Sequence, residues 1–386
     1  MKTRRIFLKN IISSSFLMTL SSFFSNKVIA SEPLKVWTIG VAKVTKSWDE
    51  MGKQAGVPLV YSAKSGSADQ AIQKFFVGDG QKLYDAITDN GGGQEDAMSD
   101  NGAIVPIDIS KIKNWKNLLP IYNKGNAGAN TIRNKKGEIV GVPYISNADS
   151  LAFNKSIINA DINTWEALFD SQFKGYSSMQ NDAGPTLTTT AIYLKESGKQ
   201  DIVNPSDMSK REVKGVCNFL IDMKKKGQFR TFWNGFGNGV DLLVNEKVLV
   251  SSCWEPVALI AAKKGADIHY GTMKEGHQTW NNVWMLTKGG KQRGQEANFY
   301  KLMELYLSPW FGARTLSNLG FTPQMTGVNA YVNANPNTFD TNAKKAIASR
   351  LVDKEARMAV KGNSWQNLYP REIRAYQDWW TKVLAA

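Results

Sequence analysis

Tryptophan and carboxylate side chains beside strand-like segments are the residues of this chain best suited to bind a ligand. The chain contains twelve tryptophans. Trp37 ends one alternating segment, Trp254 follows another, and Trp280 precedes a third. The faces of tryptophan rings attract ammonium groups, and a carboxylate such as Asp182 or Glu255 supplies a directional partner. This combination predicts a cage for a small organic cation, with core packing as the alternative role for each tryptophan.

The sequence lacks the motifs that enzymes and metal sites commonly use. It has no GxSxG nucleophile elbow and no GxxxxGK[ST] phosphate-binding loop. Residues 110–113 fit SxxK without its companion motifs, and residues 235–239 lack the last glycine of GxGxxG. The two histidines, His269 and His277, have no neighbouring ligands that would complete a zinc site. We therefore predict a protein that is not an enzyme and uses no metal or cofactor; an exported enzyme acting on a small amine is the alternative class.

Net charge and cysteine content limit the partners and the disulfides that this protein can have. The formal net charge is +14, and five of these positive charges lie in residues 1–30, which leaves +9 on the remainder. The lysines of that remainder are dispersed, which disfavours a nucleic-acid or membrane-surface binder. Cys217 and Cys253 can form at most one disulfide, and their spacing does not decide whether they do. We expect a globular protein with no nucleic-acid partner.

Residues 1–30 have the features of an export signal. Arg4 and Arg5 precede a modest apolar stretch over residues 11–24, and the small-residue pattern of residues 28–30 closes the segment. The apolar stretch is shorter than the roughly 20 residues that a membrane-spanning helix needs. The twin arginines favour the Tat route, with a Sec signal or a retained anchor helix as alternatives. The sequence thus predicts export to the periplasm and removal of the signal peptide.

The elements that must position these residues alternate along the chain. Residues 34–38, 82–88 and 283–286 have the character of strands. Apolar residues recur at helical spacing over residues 213–223, and a second helix is predicted over residues 295–307. Such alternation in a chain of 386 residues predicts an α/β architecture of two or three lobes with largely parallel sheets. In such sheets ligands bind at the carboxyl ends of the strands.

Six short segments carry a further signal through their order and spacing. They are YDAI at residues 84–87, VPID at 105–108, VPY at 142–144, TWEALFD at 164–170 followed by FKG at 173–175, LGFTP at 319–323, and SWQN at 364–367. Together they resemble the spermidine/putrescine-binding proteins of polyamine ABC importers, within the extracellular solute-binding proteins. The resemblance covers nearly all of the chain after residue 30.

The resemblance implies an α/β fold of two lobes that are joined by crossing hinge strands and close on one ligand. Lobe 1 would comprise residues 31–143 and 283–358, and lobe 2 would comprise residues 144–282 and 359–386. The family further implies a periplasmic receptor, predicted here to be a monomer, that delivers a polyamine to the membrane permease subunits of an ABC importer. A ligand that bridges both lobes would shift the population towards the closed state.

Carried over position by position, the resemblance implies a ligand site in which some residues are retained and others replaced. The positions with matching residue types are Trp37, Thr38, Asp182, Trp254, Trp280 and Gln366. Gly40 and the triple glycine of residues 91–93 stand where the family has pocket tyrosines. Pro185 and Asn282 stand where it has acids, and we keep Asn282 among the predicted ligand-binding residues.

The loss of two expected carboxylates leaves the identity of the ligand open. A polyamine carries two or more ammonium groups, and burying one of them without a carboxylate is costly. Glu255 would restore a polyamine site if it replaced a lost acid. The alternative ligand has one cationic group, as a betaine or a 4-aminobutyrate-like solute does. The carboxylate of such a solute would bind the backbone N–H groups of residues 91–93.

Overall fold

Eleven strands and the helices that cover them form the described part of the chain. The structure is a computed structural model and describes residues 32–64 and 68–386. The predicted export signal, residues 1–30, lies outside the described residues. The strands are β1 (Leu34–Thr38), β2 (Leu59–Ala63), β3 (Ala86–Asn90), β4 (Val142–Asn154), β5 (Ser177–Gln180), β6 (Phe229–Trp233), β7 (Val250–Cys253), β8 (Ile268–Tyr270), β9 (Gln278–Leu286), β10 (Thr322–Pro323) and β11 (Ser364–Trp365).

The helices range from single turns to five turns. They are α1 (Trp48–Ala55), α2 (Ala68–Val77), α3 (Gly80–Leu83), α4 (Gln94–Asp100), α5 (Lys155–Ile158), α6 (Ala183–Glu196), α7 (Lys210–Lys225), α8 (Phe236–Val244), α9 (Glu255–Lys263), α10 (Lys288–Gln292), α11 (Glu296–Tyr306), α12 (Pro309–Leu319), α13 (Val328–Ala334), α14 (Thr341–Met358) and α15 (Ile373–Ala385). Short 3-10 turns connect several of them. Within the described ranges, none of these helices has both the length and the apolar character to cross a membrane.

The sheet consists of two parallel halves joined by a pair of antiparallel strands. The strand order is β2-β1-β3-β9-β4-β7-β5-β6; β8 and β10 pair with β4, and β11 pairs with β9. β1 runs parallel to β2 and β3, and β5 runs parallel to β6 and β7. Between these halves, β4 and β9 pair antiparallel with each other. The predicted α/β class with largely parallel sheets is confirmed.

The long strand β4 belongs to both halves of the sheet. All thirteen of its residues are buried. Proline has no N–H to donate to a ladder, and the register with β9 shifts between Pro143 and Ile145. The pairing then continues as far as Asp149, which lies opposite Gln278. Beyond that point β4 pairs with β7 and β8, so the two strands β4 and β9 form the connection between the halves.

Each half of the sheet has its own hydrophobic core. On the first half, α11 contributes Phe299 and Tyr306 to a cluster that also contains residues of β1. On the second half, α7 and α15 contribute Val216, Leu220 and Trp380 to a separate cluster. The lobe boundaries given above stay a prediction.

Most of the predicted elements are confirmed, and one is partly wrong. The strand at residues 34–38, the helix over residues 213–223, the helix over residues 295–307 and the strand at residues 283–286 are all present. The strand predicted for residues 82–88 begins only at Ala86. Residues 80–83 form α3 instead, because the N–H groups of Lys82 and Leu83 bond to the carbonyl of Asp79 and close a helical turn.

The two cysteines are free thiols. Cys217 lies on the buried face of α7, and Cys253 is the last residue of β7. The two are buried in different hydrophobic clusters. Burial raises the pKa of the Cys217 thiol to about 12 and also raises the pKa of the Cys253 thiol. Both therefore stay protonated and unreactive at neutral pH.

Candidate ligand-binding site

A cavity of about 550 Å³ lies at the carboxyl ends of strands from both halves of the sheet. On the first half it is lined by Ile39, just after β1, and by Asn90, the last residue of β3. On the second half it is lined by residues 182–185, at the start of α6, and by Trp254, which follows β7. Open α/β sheets bind their ligands at this edge, so the cavity is the candidate ligand site.

Alternate residues of β9 and one residue of β4 form the floor of the cavity; these are the two strands that connect the halves of the sheet. Gln278, Trp280 and Asn282 of β9 line the cavity, as does Asp149 of β4. Successive side chains of a strand point to opposite faces, so residues two apart share a face. Asp149 lies directly opposite Gln278 in the antiparallel register, which places its side chain on that same face.

Asp149 is a buried carboxylate on this floor. Its Oδ2 accepts a hydrogen bond from Nε1 of Trp280 at 2.8 Å, and its Oδ1 accepts one from Nδ2 of Asn147 at 2.9 Å. Burial raises the pKa of Asp149 to about 7, although these two hydrogen bonds and the charge of Lys354 act in the opposite direction. The carboxylate would be stabilised in its ionised form by a cation in the cavity.

Three further titratable groups near Asp149 are uncharged at neutral pH. Burial lowers the pKa of His277 to about 3, so its imidazole is neutral. Its Nε2 accepts the backbone N–H of Met273 at 3.2 Å, so its Nδ1 carries the proton that is donated to the carbonyl of Asp149 at 3.0 Å. Burial also raises the pKa of Tyr270 and of Cys253, which keeps both side chains uncharged.

Asp182 also lines the cavity, at the N-terminus of α6. Its side chain caps the helix by accepting the backbone N–H of Gly184 at 3.1 Å, and it remains exposed towards the cavity. The surrounding cleft raises the pKa of Asp182 by desolvation, and the hydrogen bond from Gly184 opposes that shift. A capping carboxylate of this kind keeps free lone pairs for a ligand.

Two of the predicted tryptophans line the cavity, each held by a neighbouring group. Trp254 is half-buried and packs edge-on against Trp233, with ring centroids 5.0 Å apart. Trp280 is also half-buried, bonds through its indole N–H to Asp149, and packs edge-on against Phe321 at 5.4 Å. Phe321 and Tyr376 line the cavity as well, so four aromatic side chains contribute to its lining.

Asn282 and Gln366, which the family resemblance implied as ligand-binding residues, also line the cavity. The side-chain amide of Asn282 donates to Oδ1 of Asn90 and accepts from the hydroxyl of Tyr144 at 3.2 Å. The backbone N–H of Gln366 bonds to the carbonyl of Thr279 at 2.8 Å, which holds the segment after β11 beside β9. Both residues are therefore positioned by strand pairing next to the floor.

Trp37 and Thr38 lie in the sheet rather than among the lining residues of this cavity. The Trp37 ring stacks on Tyr84 at 5.4 Å, and its indole N–H donates to the carbonyl of Ala63 at 3.2 Å. The Thr38 hydroxyl shares a 2.7 Å hydrogen bond with the hydroxyl of Thr88. Both side chains are buried in contacts between strands, and the cavity wall begins one residue later, at Ile39.

Glu255 does not line the cavity either, and its charge is already paired. Its carboxylate accepts hydrogen bonds from Nζ of Lys354 and, at 2.6 Å, from a guanidinium nitrogen of Arg357. Both cations come from α14 and are buried. Burial lowers the pKa of Lys354 to about 8 against the raising effect of Glu255. The structure thus places Glu255 outside the cavity lining, with its charge paired to these two cations.

The triple glycine of residues 91–93 is a nest that the chain itself fills. The side chain of Glu95 accepts the backbone N–H groups of Gly92 and Gly93 at 3.0 Å, and the N–H of Gly91 bonds to the carbonyl of Asn281. Burial raises the pKa of Glu95 to about 8. The hypothesis that these N–H groups bind a ligand carboxylate is therefore wrong, since all three have partners within the protein.

Comparison with known proteins places this geometry in a family. Residues 49–346 match the bacterial extracellular solute-binding proteins. The chain belongs to this family. Among curated proteins, none matches the chain. The family consists of binding proteins rather than enzymes, which agrees with the absence of catalytic motifs noted in the sequence.

Solved structures with a similar fold support the same architecture. The spermidine/putrescine substrate-binding protein PotD of Streptococcus pneumoniae superimposes with a TM-score of 0.71 at 13% identity, covering 92% of this chain and 99% of that one. The Atu4243-GABA receptor gives 0.64 at 14% identity, with 91% and 97% covered. MotA of A. tumefaciens B6, in complex with glucopine, gives 0.63 at 12% identity, with 90% and 99% covered. The predicted two-lobed fold of periplasmic binding proteins is confirmed.

In this solute-binding protein, sequence reasoning missed the two polar residues at the hinge end of the floor, Asp149 and Gln278. The alternation of Gln278, Trp280 and Asn282 along one strand face could have revealed Gln278, whereas Asp149 reaches this face only through the register of β4 with β9. Asp149 and Asp182 are the charged residues among those that line the cavity in the described chain. Within residues 32–64 and 68–386, no group of three or more potential metal-ligating side chains is placed to hold a metal ion.

Proposed function

We propose that this solute-binding protein is the periplasmic receptor of an ABC importer for a polyamine of the putrescine/spermidine class. The observation that carries the proposal is the charge of the cavity lining. The described residues that line the cavity include two carboxylates, Asp149 and Asp182, and no Lys, Arg or His. A ligand with two ammonium groups matches two carboxylates, and the faces of Trp254 and Trp280 favour cations.

The same lining disfavours the zwitterionic alternatives. A betaine or a 4-aminobutyrate-like solute would bring a carboxylate into a cavity that already holds two acids. The backbone N–H groups of residues 91–93 are not free to bind the ligand carboxylate, because they already donate to Glu95 and Asn281. An unpaired anion in such a site is costly, so the balance favours a ligand whose groups are all cationic. The fold similarity to PotD is consistent with this choice but does not decide it.

Transport follows from closure of the two lobes around the ligand. Asp182 and Trp254 belong to the second half of the sheet, while Ile39 and Asn90 belong to the first. A ligand that contacts both halves binds the closed state more tightly and shifts the population towards it. We propose that the closed monomer docks on the permease subunits, after export to the periplasm by the Tat route and removal of residues 1–30.

Thermal unfolding of the purified protein with a panel of solutes tests the proposal. Putrescine or spermidine should raise the melting temperature, by an amount equivalent to about 2.7 kcal/mol at a ligand concentration 100 times Kd. Glycine betaine and 4-aminobutyrate should give no comparable shift. The shift should be reduced in Asp182→Asn and in Trp254→Ala, and it should persist in the control Asp79→Asn, whose carboxylate forms an exposed ion pair with Lys82.

Two outcomes would contradict the proposal. Stabilisation by the zwitterions alone would keep the receptor role and exclude the polyamine. Absence of a shift with any solute would exclude the cation site itself. Recovery of the amine unchanged after prolonged incubation distinguishes binding from turnover by an exported enzyme.

A further inference from the structure

Two buried acceptors stand side by side at the hinge end of the cavity floor. Asp149 and Gln278 are direct partners in the antiparallel register of β4 and β9, so their side chains lie on one face. Both line the cavity, and their relative exposure is 7% and 3%. They are therefore held by strand pairing rather than by a loop, which fixes their mutual position.

The hydrogen-bonding capacity of this pair is only partly used. Trp280 and Asn147 each donate one hydrogen bond to the Asp149 carboxylate, whose two oxygens have about four lone-pair sites. Oε1 of Gln278 is buried and, among the described residues, accepts no hydrogen bond. Buried acceptors without donors are unfavourable, so an N–H donor that reached Oε1 of Gln278 from the cavity side would relieve this cost.

We propose that Asp149 and Gln278 form a subsite for an ammonium group that carries N–H donors, and that this subsite excludes quaternary ammonium groups. The inference rests on the proposed function and names the headgroup that the same site selects. A primary ammonium group has three N–H donors and can satisfy both acceptors at once. A trimethylammonium group has none, so it would cover both acceptors while leaving them unpaired.

The surroundings make Asp149 the source of negative charge in this subsite. Lys354 lies near enough to act on Asp149, but it hydrogen-bonds to Glu255, which also holds Arg357. Lys354 also donates to Oδ1 of Asn147 at 3.1 Å and is not among the residues that line the cavity.

Calorimetric titration of the protein with putrescine and with its bis(trimethylammonium) analogue tests the subsite. The wild-type protein should bind putrescine at least about 100-fold more tightly than the analogue, because only putrescine pairs the buried acceptors. Gln278→Met removes one acceptor at similar volume and should weaken putrescine about tenfold while leaving the analogue nearly unchanged. Asp149→Asn should reduce the discrimination further. Asp182→Asn, at the N-terminus of α6, should weaken both ligands and serves as the control.

The outcomes separate this inference from the proposed function. Equal affinities for the two ligands in the wild-type protein would overturn the subsite and leave the amine receptor standing. Discrimination that persists unchanged in both Gln278→Met and Asp149→Asn would also overturn it, since size exclusion would then be the cause. Binding of neither ligand would reject the proposed function together with the subsite. Circular dichroism and the melting temperature confirm that each variant is folded.

Discussion

Acidification should weaken amine binding through protonation of Asp149. The pKa of this carboxyl in the unliganded cleft is about 7 because of burial. An ammonium ligand binds the ionised form, so binding must expel a proton from every molecule in which Asp149 is protonated. The ligand itself does not titrate here, since an aliphatic ammonium has a pKa of about 10.

The size of the effect follows from the ionised fraction of Asp149. With a pKa near 7, roughly half of the carboxyl is ionised at pH 7.0 and about 3% at pH 5.5. The apparent affinity should therefore fall about fifteenfold between these two values, which corresponds to about 1.6 kcal/mol. At pH 7.0 binding should release about half a proton per ligand. His277 contributes nothing in this range, because its pKa is about 3.

Calorimetry in two buffers of different ionisation enthalpy measures both quantities. The affinity for putrescine should rise with pH over this range, and the apparent enthalpy should differ between buffers by the released fraction of a proton. Asp149→Asn should bind more weakly and lose most of the pH dependence, whereas Asp182→Asn should retain it. A flat affinity with no proton release in the wild-type protein would refute the reasoning, because Asp149 would then be either already ionised or remote from the ligand.

Three further predictions concern stability and reactivity. Gly91→Ala places a Cβ against Thr131 and the side chain of Asn281, so the melting temperature should fall. Gly40→Ala, whose Cβ would point into open space, should change the melting temperature little. Equal effects of the two substitutions would contradict this packing. Glu255→Gln leaves two buried cations without their carboxylate and should lower the free energy of unfolding in urea by about 3–5 kcal/mol; a loss within error of zero would show that the cluster is solvated. Both cysteines should resist a thiol reagent in the native protein and react in denaturant, and rapid native labelling would disprove their burial.

Local sequence patterns predicted elements whose character depends on neighbours in the chain. The alternation at residues 34–38 and the apolar spacing over residues 213–223 each correspond to an observed element. The strand expected at residues 82–88 failed at its start because alternation does not register a carbonyl such as that of Asp79, which closes a helical turn. Residue type and strand position pointed to Asp182, Trp254 and Trp280, and the family resemblance added Asn282 and Gln366; all five line the cavity.

Residue type was a poor guide wherever a side chain had two possible partners. Glu255 has the same charge as a ligand-binding acid and adjoins a lining tryptophan, yet two cations from α14, about a hundred residues away, use its carboxylate. The glycines of residues 91–93 form an anion-binding nest, yet Glu95 fills it. Trp37 resembles a cage residue, yet it stacks within the sheet on Tyr84.

The amino-acid sequence by itself determined the α/β class and the supply of aromatic and acidic groups, since these depend on composition, periodicity and local motifs. The tertiary structure alone decided which acids face the cavity. Asp149 and Gln278 are 129 positions apart in the chain and become neighbours only through the antiparallel register of β4 and β9. Burial of these side chains raises the pKa of Asp149 to about 7 and leaves Oε1 of Gln278 without a donor among the described residues.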